Sequence, residues 1–121
     1  ELNVNDMVHF LGYRHDVNRI LSVCDLGASA SFREGLGLNV IEEMAAGLPV
    51  IVSENRGHKD IVTEDSGVLL KENTAEEFAK AFCNLYNSPE KCEAISKNNL
   101  EYCKKFDIDA VKSLLLSIIE G

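Results

Sequence analysis

Short apolar runs alternate with amphipathic stretches along this chain. Val8-His9-Phe10-Leu11 reads as a strand, with Gly12 after it. Asp16 is placed to cap a short helix in which Val17, Ile20, Leu21 and Cys24 recur at helical spacing. Leu26 to Ala30, Val50 to Val52 and Gly67 to Leu70 are apolar runs between helices, the mark of parallel strands buried on both faces. Thr74, with Glu77 three residues on, predicts a capping box and a helix to about Tyr86. Ser88-Pro89-Glu90 restarts a helix with Pro at its first position, ending near Phe106. Asp109 opens a last helix with Val111, Leu114, Leu115, Ile118 and Ile119 on its apolar side. Strand and helix alternate, so the expected class is α/β: a Rossmann-like parallel sheet with flanking helices and right-handed crossovers.

The run SFREGLGLNVIEEMAAGLPVIVS carries the candidate chemistry. It reads as a turn from Phe32 to Gly37, a helix from about Leu38 to Ala46, a stop at Gly47 and a strand from Pro49. The strand before it spans Leu26 to Ser31. A helix that starts after a glycine turn points free N–H groups and a positive dipole end above the sheet. Anions bind there, phosphate above all. Glu34 precedes the helix and Glu42 lies just past its first turn, so the two carboxylates can serve opposite ends of one ligand. Glu43 points about 100° away from Glu42 on a helix, so only one of the two faces the cleft and the other is expected to be solvated.

Size and charge narrow the function. The 121 residues leave room for one domain and one core. They are 45% hydrophobic and 26% charged, a globular balance. A net charge of −8 argues against nucleic acid as a partner and against general adhesion to anionic lipid. Cys24, Cys83, Cys92 and Cys103 show no metal-ligand spacing, so no metal site is expected. Three of them fall at apolar helix positions, which predicts buried free thiols. No apolar run is long enough to span a membrane, so the expected location is cytoplasmic. The chain opens on Glu1, not Met, and is expected to be a piece of a longer protein.

The central run resembles the donor-binding signature of the retaining GT-B glycosyltransferases (group 1, or family four), which include capsule and lipopolysaccharide sugar transferases. That signature is a Glu, seven residues, a second Glu, small residues and Gly-x-Pro-Val. It appears here as Glu34, Gly35 to Ile41, Glu42, Ala45-Ala46-Gly47 and Leu48-Pro49-Val50. On its N-terminal side, VHFLGYRHDVNRILSVCD resembles the family's strand, Gly and helix. On its C-terminal side, SENRGHKDIV and SGVLLKENTAEEFAKAF resemble the family's next segments. The resemblance covers nearly the whole chain and is weakest after about residue 88.

The resemblance implies that residues 1–121 are part of the C-terminal nucleotide-sugar-binding domain. It implies a hexosyl transfer with retention from a nucleoside diphosphate sugar, a UDP-sugar first among them, to an acceptor hydroxyl, and no cofactor. The implied setting is bacterial capsule, exopolysaccharide or lipopolysaccharide synthesis, with a sugar or lipid-linked glycan as acceptor. The intact enzyme would then be cytoplasmic or peripheral at the inner membrane face. Glu34 would meet the donor sugar near its reacting carbon. The amides of Gly35, Leu36 and Gly37 would hold sugar hydroxyls, and those of Leu38 and Asn39 the phosphate. Glu42 would grip the ribose diol, and Tyr13 and Arg14 lie where the family contacts the base. The N-terminal acceptor domain and the Arg and Lys that clamp the diphosphate have no counterpart in this chain.

Other readings stay open. Arg33 could pair with Glu34 or screen phosphate, and Lys59 and Asp60 could line the cleft rim. His9, His15 and His58 form no triad that the sequence can place. A non-catalytic nucleotide-sugar-binding module and a nucleotide-sugar epimerase of the same architecture are the alternatives. By resemblance, Val8 to Leu11 is the third strand of a 3-2-1-4-5-6 sheet and the three runs after it are strands four to six. The isolated chain would then expose unpaired strands and self-associate, unless Val8 to Leu11 pairs directly beside Leu26 to Ala30.

Overall fold

The computed structural model describes residues 2–121. Its elements run α1 (Val17–Leu21), β1 (Gly27–Ser29), α2 (Leu38–Ala45), β2 (Val50–Ser53), α3 (Arg56–Ile61), β3 (Gly67–Leu70), α4 (Ala75–Tyr86) and α5 (Pro89–Tyr102). A 3-10 turn (Cys103–Phe106) and α6 (Ile108–Glu120) complete the chain. The strands form one parallel sheet in the order β1-β2-β3. Gly27 pairs with Val50 and Val50 with Gly67. The three expected runs are therefore adjacent and in sequence, as strands four to six would be.

All four residues of β2 are buried, because helices cover both faces of the sheet. Its side chains alternate between two cores. Val50 and Val52 join Val40, Ile41 and Met44 of α2, Ile61 and Val62. Ile51 joins Leu70, Ala81, Leu85 and Ile95 on the other face. Asn99 of α5 is fully buried, and its Nδ2 donates to the carbonyls of Leu48 and Ser66, each at 2.9 Å. It ties α5 to the segments that enter β2 and β3. Thr74 caps α4 by accepting from the Glu77 N–H at 3.3 Å. The Glu77 carboxylate turns to Lys80, so only half of the capping box forms.

Several expectations are corrected. Val8 to Leu11 has no regular structure and pairs with nothing; Phe10 is 97% exposed. A strand needs a hydrogen-bonded neighbour and a face to bury, and β1 offers its open edge to no described segment, so the direct pairing of Val8 to Leu11 beside Leu26 to Ala30 does not occur. The last helix starts one residue before Asp109, at Ile108, and Asp107 caps it by accepting from the Asp109 N–H at 2.8 Å. Its apolar residues Val111, Leu114, Leu115, Ile118 and Ile119 are exposed. Of the cysteines, Cys103 alone is buried; Cys24 and Cys83 are exposed and Cys92 is half-buried. Helix α3 was not foreseen, because its six residues, Arg-Gly-His-Lys-Asp-Ile, contain a glycine and a single large apolar residue and so show no helical periodicity.

Candidate functional site

Parallel strands end on the same edge of the sheet, and α2 and α3 both begin there. Gly37 is the first cap of α2. It sits in the left-handed region at φ 62°, ψ 52°, which side chains resist, and offers no capping side chain. Its carbonyl accepts from the N–H groups of Val40 and Ile41 at 3.0 and 3.1 Å. The N–H groups of Gly35, Leu36, Gly37, Leu38 and Asn39 have no partner among the described residues. Leu38 is 65% exposed, so this end of the helix is open to a ligand. Five unpaired amides thus meet the positive end of a helix at the glycine turn, an arrangement whose electrostatics suit an anion.

The root of the glycine turn is pinned from three directions. Ser53, the last residue of β2, donates its hydroxyl to the Ser31 carbonyl at 2.5 Å. Asn55, the cap of α3, donates from Nδ2 to the same oxygen at 2.9 Å. Asn73, just before α4, donates to the Ala30 carbonyl at 2.9 Å. Beneath the turn lies the first turn of α3. A Cβ at Gly57 would sit 2.7 Å from the Glu34 carbonyl oxygen and 2.9 Å from its Cβ, so only glycine lets the Glu34 backbone rest there. The ring of His58 lies under Gly37, where an added Cβ would meet its Cδ2 at 3.4 Å. His58 is 0% exposed; its N–H donates to Asn55 Oδ1 at 2.9 Å and its Nδ1 lies 2.6 Å from the Ser53 carbonyl. None of Ser53, Asn55, Asn73 and His58 was singled out as a site residue from the sequence. The signal was there: small polar residues directly after two strands, with Asn three residues before His.

Glu34 is half-buried over this base. Glu42 is exposed and lines a groove of about 370 Å³ whose opposite wall is α1, with Val17, Asn18, Leu21 and Ser22. Tyr13 and Arg14 precede α1. Tyr13 is 88% exposed, edge-on to the His15 ring at 5.0 Å. Arg14 grips Asp16 with two bonds of 2.9 Å, which holds the Asp16 carboxyl below its usual range, and the Asp16 side chain makes no capping bond to α1. Arg14 is thus already engaged.

Glu43 overturns its expectation. It is half-buried, with Oε2 inward, unpartnered and against Gly27 at the start of β1. Burial, and then the charge of Glu42, push its carboxyl up to about 7. Gly27 contributes no side chain, and Glu43 fills that space. Arg33 forms no ion pair with Glu34 among the described residues. Lys59 pairs with Glu54, and both line an open cleft of about 570 Å³ with Asn55, Arg56, Asp60 and Lys71. No cluster suited to a metal ion occurs among the described residues. No helix among them is long and apolar enough to cross a membrane.

The comparisons with known proteins agree with this geometry. The family model described as "Glycosyl transferases group 1" matches residues 1–102. EpsD, a glycosyltransferase of Bacillus subtilis, is 34% identical over 107 residues, 88% of this chain and 28% of the relative. The UDP-Gal:alpha-D-GlcNAc-diphosphoundecaprenol alpha-1,3-galactosyltransferase of Escherichia coli is 26% identical over 126 residues, 98% of this chain and 32% of the relative. Anabaena HepE, solved in complex with UDP, superposes with a TM-score of 0.88 at 24% identity over 95% of this chain and 32% of its own. Sucrose-phosphate synthase of Thermosynechococcus elongatus gives 0.86 at 27% identity over 98% and 31%. The chain thus spans about a third of the length of these proteins. It belongs to the group 1 glycosyl transferases, and its parallel sheet with flanking helices is part of their Rossmann-like GT-B fold.

Proposed function

We propose that residues 1–121 are part of the C-terminal donor-binding domain of a retaining hexosyltransferase that uses a nucleoside diphosphate sugar, a UDP-sugar first among candidates. The observation that carries this reading is the open start of α2, with unpaired amides from Gly35 to Asn39 between Glu34 and Glu42. The family match favours a transferase over a non-catalytic module or an epimerase.

In this reading the diphosphate lies on the amides of Leu38 and Asn39, at the positive end of α2. The sugar extends toward Gly35, Leu36 and Gly37, whose amides meet its hydroxyls. Glu34 stands near the anomeric carbon and stabilises the positive charge that develops on the ring. As the bond to the sugar breaks, negative charge builds on the leaving phosphate, and the helix end opposes it without reorganising. Glu42 takes the ribose diol through two oxygens from its place on the groove wall. Tyr13, exposed and four residues before α1, gives the base an aromatic face. Arg14 reaches the base only by giving up Asp16, and so contributes less than its position suggested.

The E. coli relative's name records a UDP-sugar donor and a lipid-linked diphosphate acceptor, and HepE was solved with UDP. We extend both chemistries to the intact protein, whose acceptor-binding part lies outside this chain. A role in surface polysaccharide synthesis, at the cytoplasmic face of the membrane, follows from that acceptor. The test is a panel of UDP-, GDP- and ADP-sugars on the full-length protein, read first by melting temperature and then by turnover. One nucleotide class should raise the melting temperature. Glu34→Gln should cut turnover by at least about 10²-fold with the fold kept, the usual cost of one well-aimed electrostatic group. Unchanged turnover would make Glu34 an ordinary loop acid.

A further inference from the structure

His58 is completely buried, yet its Nε2 has no hydrogen-bond partner. The other nitrogen, Nδ1, lies 2.6 Å from the Ser53 carbonyl, which can only accept, so Nδ1 carries the ring proton. The Asn55 amide nitrogen also approaches Nδ1, at 3.0 Å, but donates to the Ser31 carbonyl at 2.9 Å, and the Ser53 contact is the shorter. With Nδ1 donating to Ser53, the ring turns Nε2 inward, and we take Nε2 as its acceptor nitrogen. It faces Gly37: a Cβ there would be 3.9 Å away. A buried acceptor left unmet costs as much as a broken hydrogen bond, and an apolar ring would fill the space without that penalty. Packing alone does not account for histidine. Candidate donors lie nearby in space: Gly37 sits over the ring, and the N–H groups of Gly35, Leu36 and Gly37 are unpaired as well.

We propose that His58 is a positioning residue for the donor loop. When a nucleoside diphosphate seats on the start of α2, the turn settles so that one N–H of residues 35–37 donates to Nε2. Leu38 and Asn39 are then held with their amides aimed at phosphate. The proposal rests on the donor-site reading above. It adds that the site is completed from below, by a residue that touches no substrate.

Two substitutions separate the two ends of the ring in the full-length protein. His58→Asn keeps a donor for Ser53 but stops short of Nε2. His58→Gln places an acceptor oxygen near Nε2 and gives up the Ser53 bond. UDP binding is measured by calorimetry, beside the melting temperature without ligand. The Gln variant should bind UDP within about threefold of wild type and the Asn variant at least about tenfold more weakly, the loss of roughly one hydrogen bond. A role in folding alone predicts otherwise: affinity that tracks melting temperature in both variants, or Asn binding as well as Gln, overturns the proposal. If neither variant folds, the ¹⁵N resonance of His58 Nε2 in wild type decides. It should move from a free acceptor to a bonded one on adding UDP, and an unmoved resonance overturns the proposal. Wild-type protein that binds neither UDP nor GDP removes the donor-site reading and this role with it. Wild-type binding matched by the Asn variant removes the role of His58 alone.

Discussion

Replacing Glu43 with Gln should stabilise the protein above neutral pH and leave it unchanged in acid. The carboxyl's ordinary value is 4.5, and burial with the charge of Glu42 beside it raises this to about 7. Between those values the folded protein holds a proton that the unfolded chain has released. Stability from this group is therefore fully present below 4.5, falls as pH rises to about 7, and is level above it. The gap is worth at most about 3.4 kcal/mol, at about 1.36 kcal/mol for each tenfold change in proton affinity. Glu43 is only half-buried, so solvent screens it and about 1–2 kcal/mol is the figure to expect. Gln keeps the shape and an inward polar atom but never ionises. Urea unfolding of both proteins at pH 4.5, 6 and 8 measures the difference, in which the other carboxylates cancel. The gain should be near zero at pH 4.5 and largest at pH 8. A difference that does not vary with pH would show that Glu43 is hydrated and ionises freely, and the inward placement against Gly27 would be wrong.

Glu42→Ala should raise the donor KM with kcat little changed, because a ribose grip holds ground state and transition state alike; a pure kcat effect in steady-state kinetics would place Glu42 at the wrong end of the ligand. A larger KM effect from Glu43 than from Glu42 would reverse the choice of helix face. Asn99→Ala should cost about 2–4 kcal/mol in urea unfolding, since it strands the buried Leu48 carbonyl, leaves Ser66 only a long bond from the Val50 N–H and opens a gap between α5 and the sheet. A loss under about 1 kcal/mol would mean that water replaces the amide.

The three strands were legible because each is a short apolar run bounded by helix signals, and β2 is buried on both faces as such runs require. Helices α4 and α5 were legible from Thr74 and Ser88-Pro89, whose chemistry is local. Of the candidate site, the glycine turn and the helix that starts at Leu38 were legible. Burial and pairing were not, since they depend on distant neighbours. Val8 to Leu11 has a strand's composition but no partner. Glu43 is inward only because Gly27 lies sixteen positions earlier in the chain and across the packing interface. His58 looked like a spare titratable residue until its ring was seen beneath Gly37.

The anchoring of Ala30 and Ser31 has a consequence for how this loop can change. Three donors, from Ser53, Asn55 and Asn73, fasten the last two carbonyls before the turn. The turn's outward residues carry no such duty: Phe32 and Leu36 are exposed and no hydrogen bond of their side chains supports the fold. Substitutions at such surface positions usually shift stability by no more than about 0.5 kcal/mol. The loop is therefore built like an interchangeable tool on a fixed handle. On the donor-site reading proposed above, its tip can be recut for a different sugar, by selection or by design, while the socket that aims it keeps its shape.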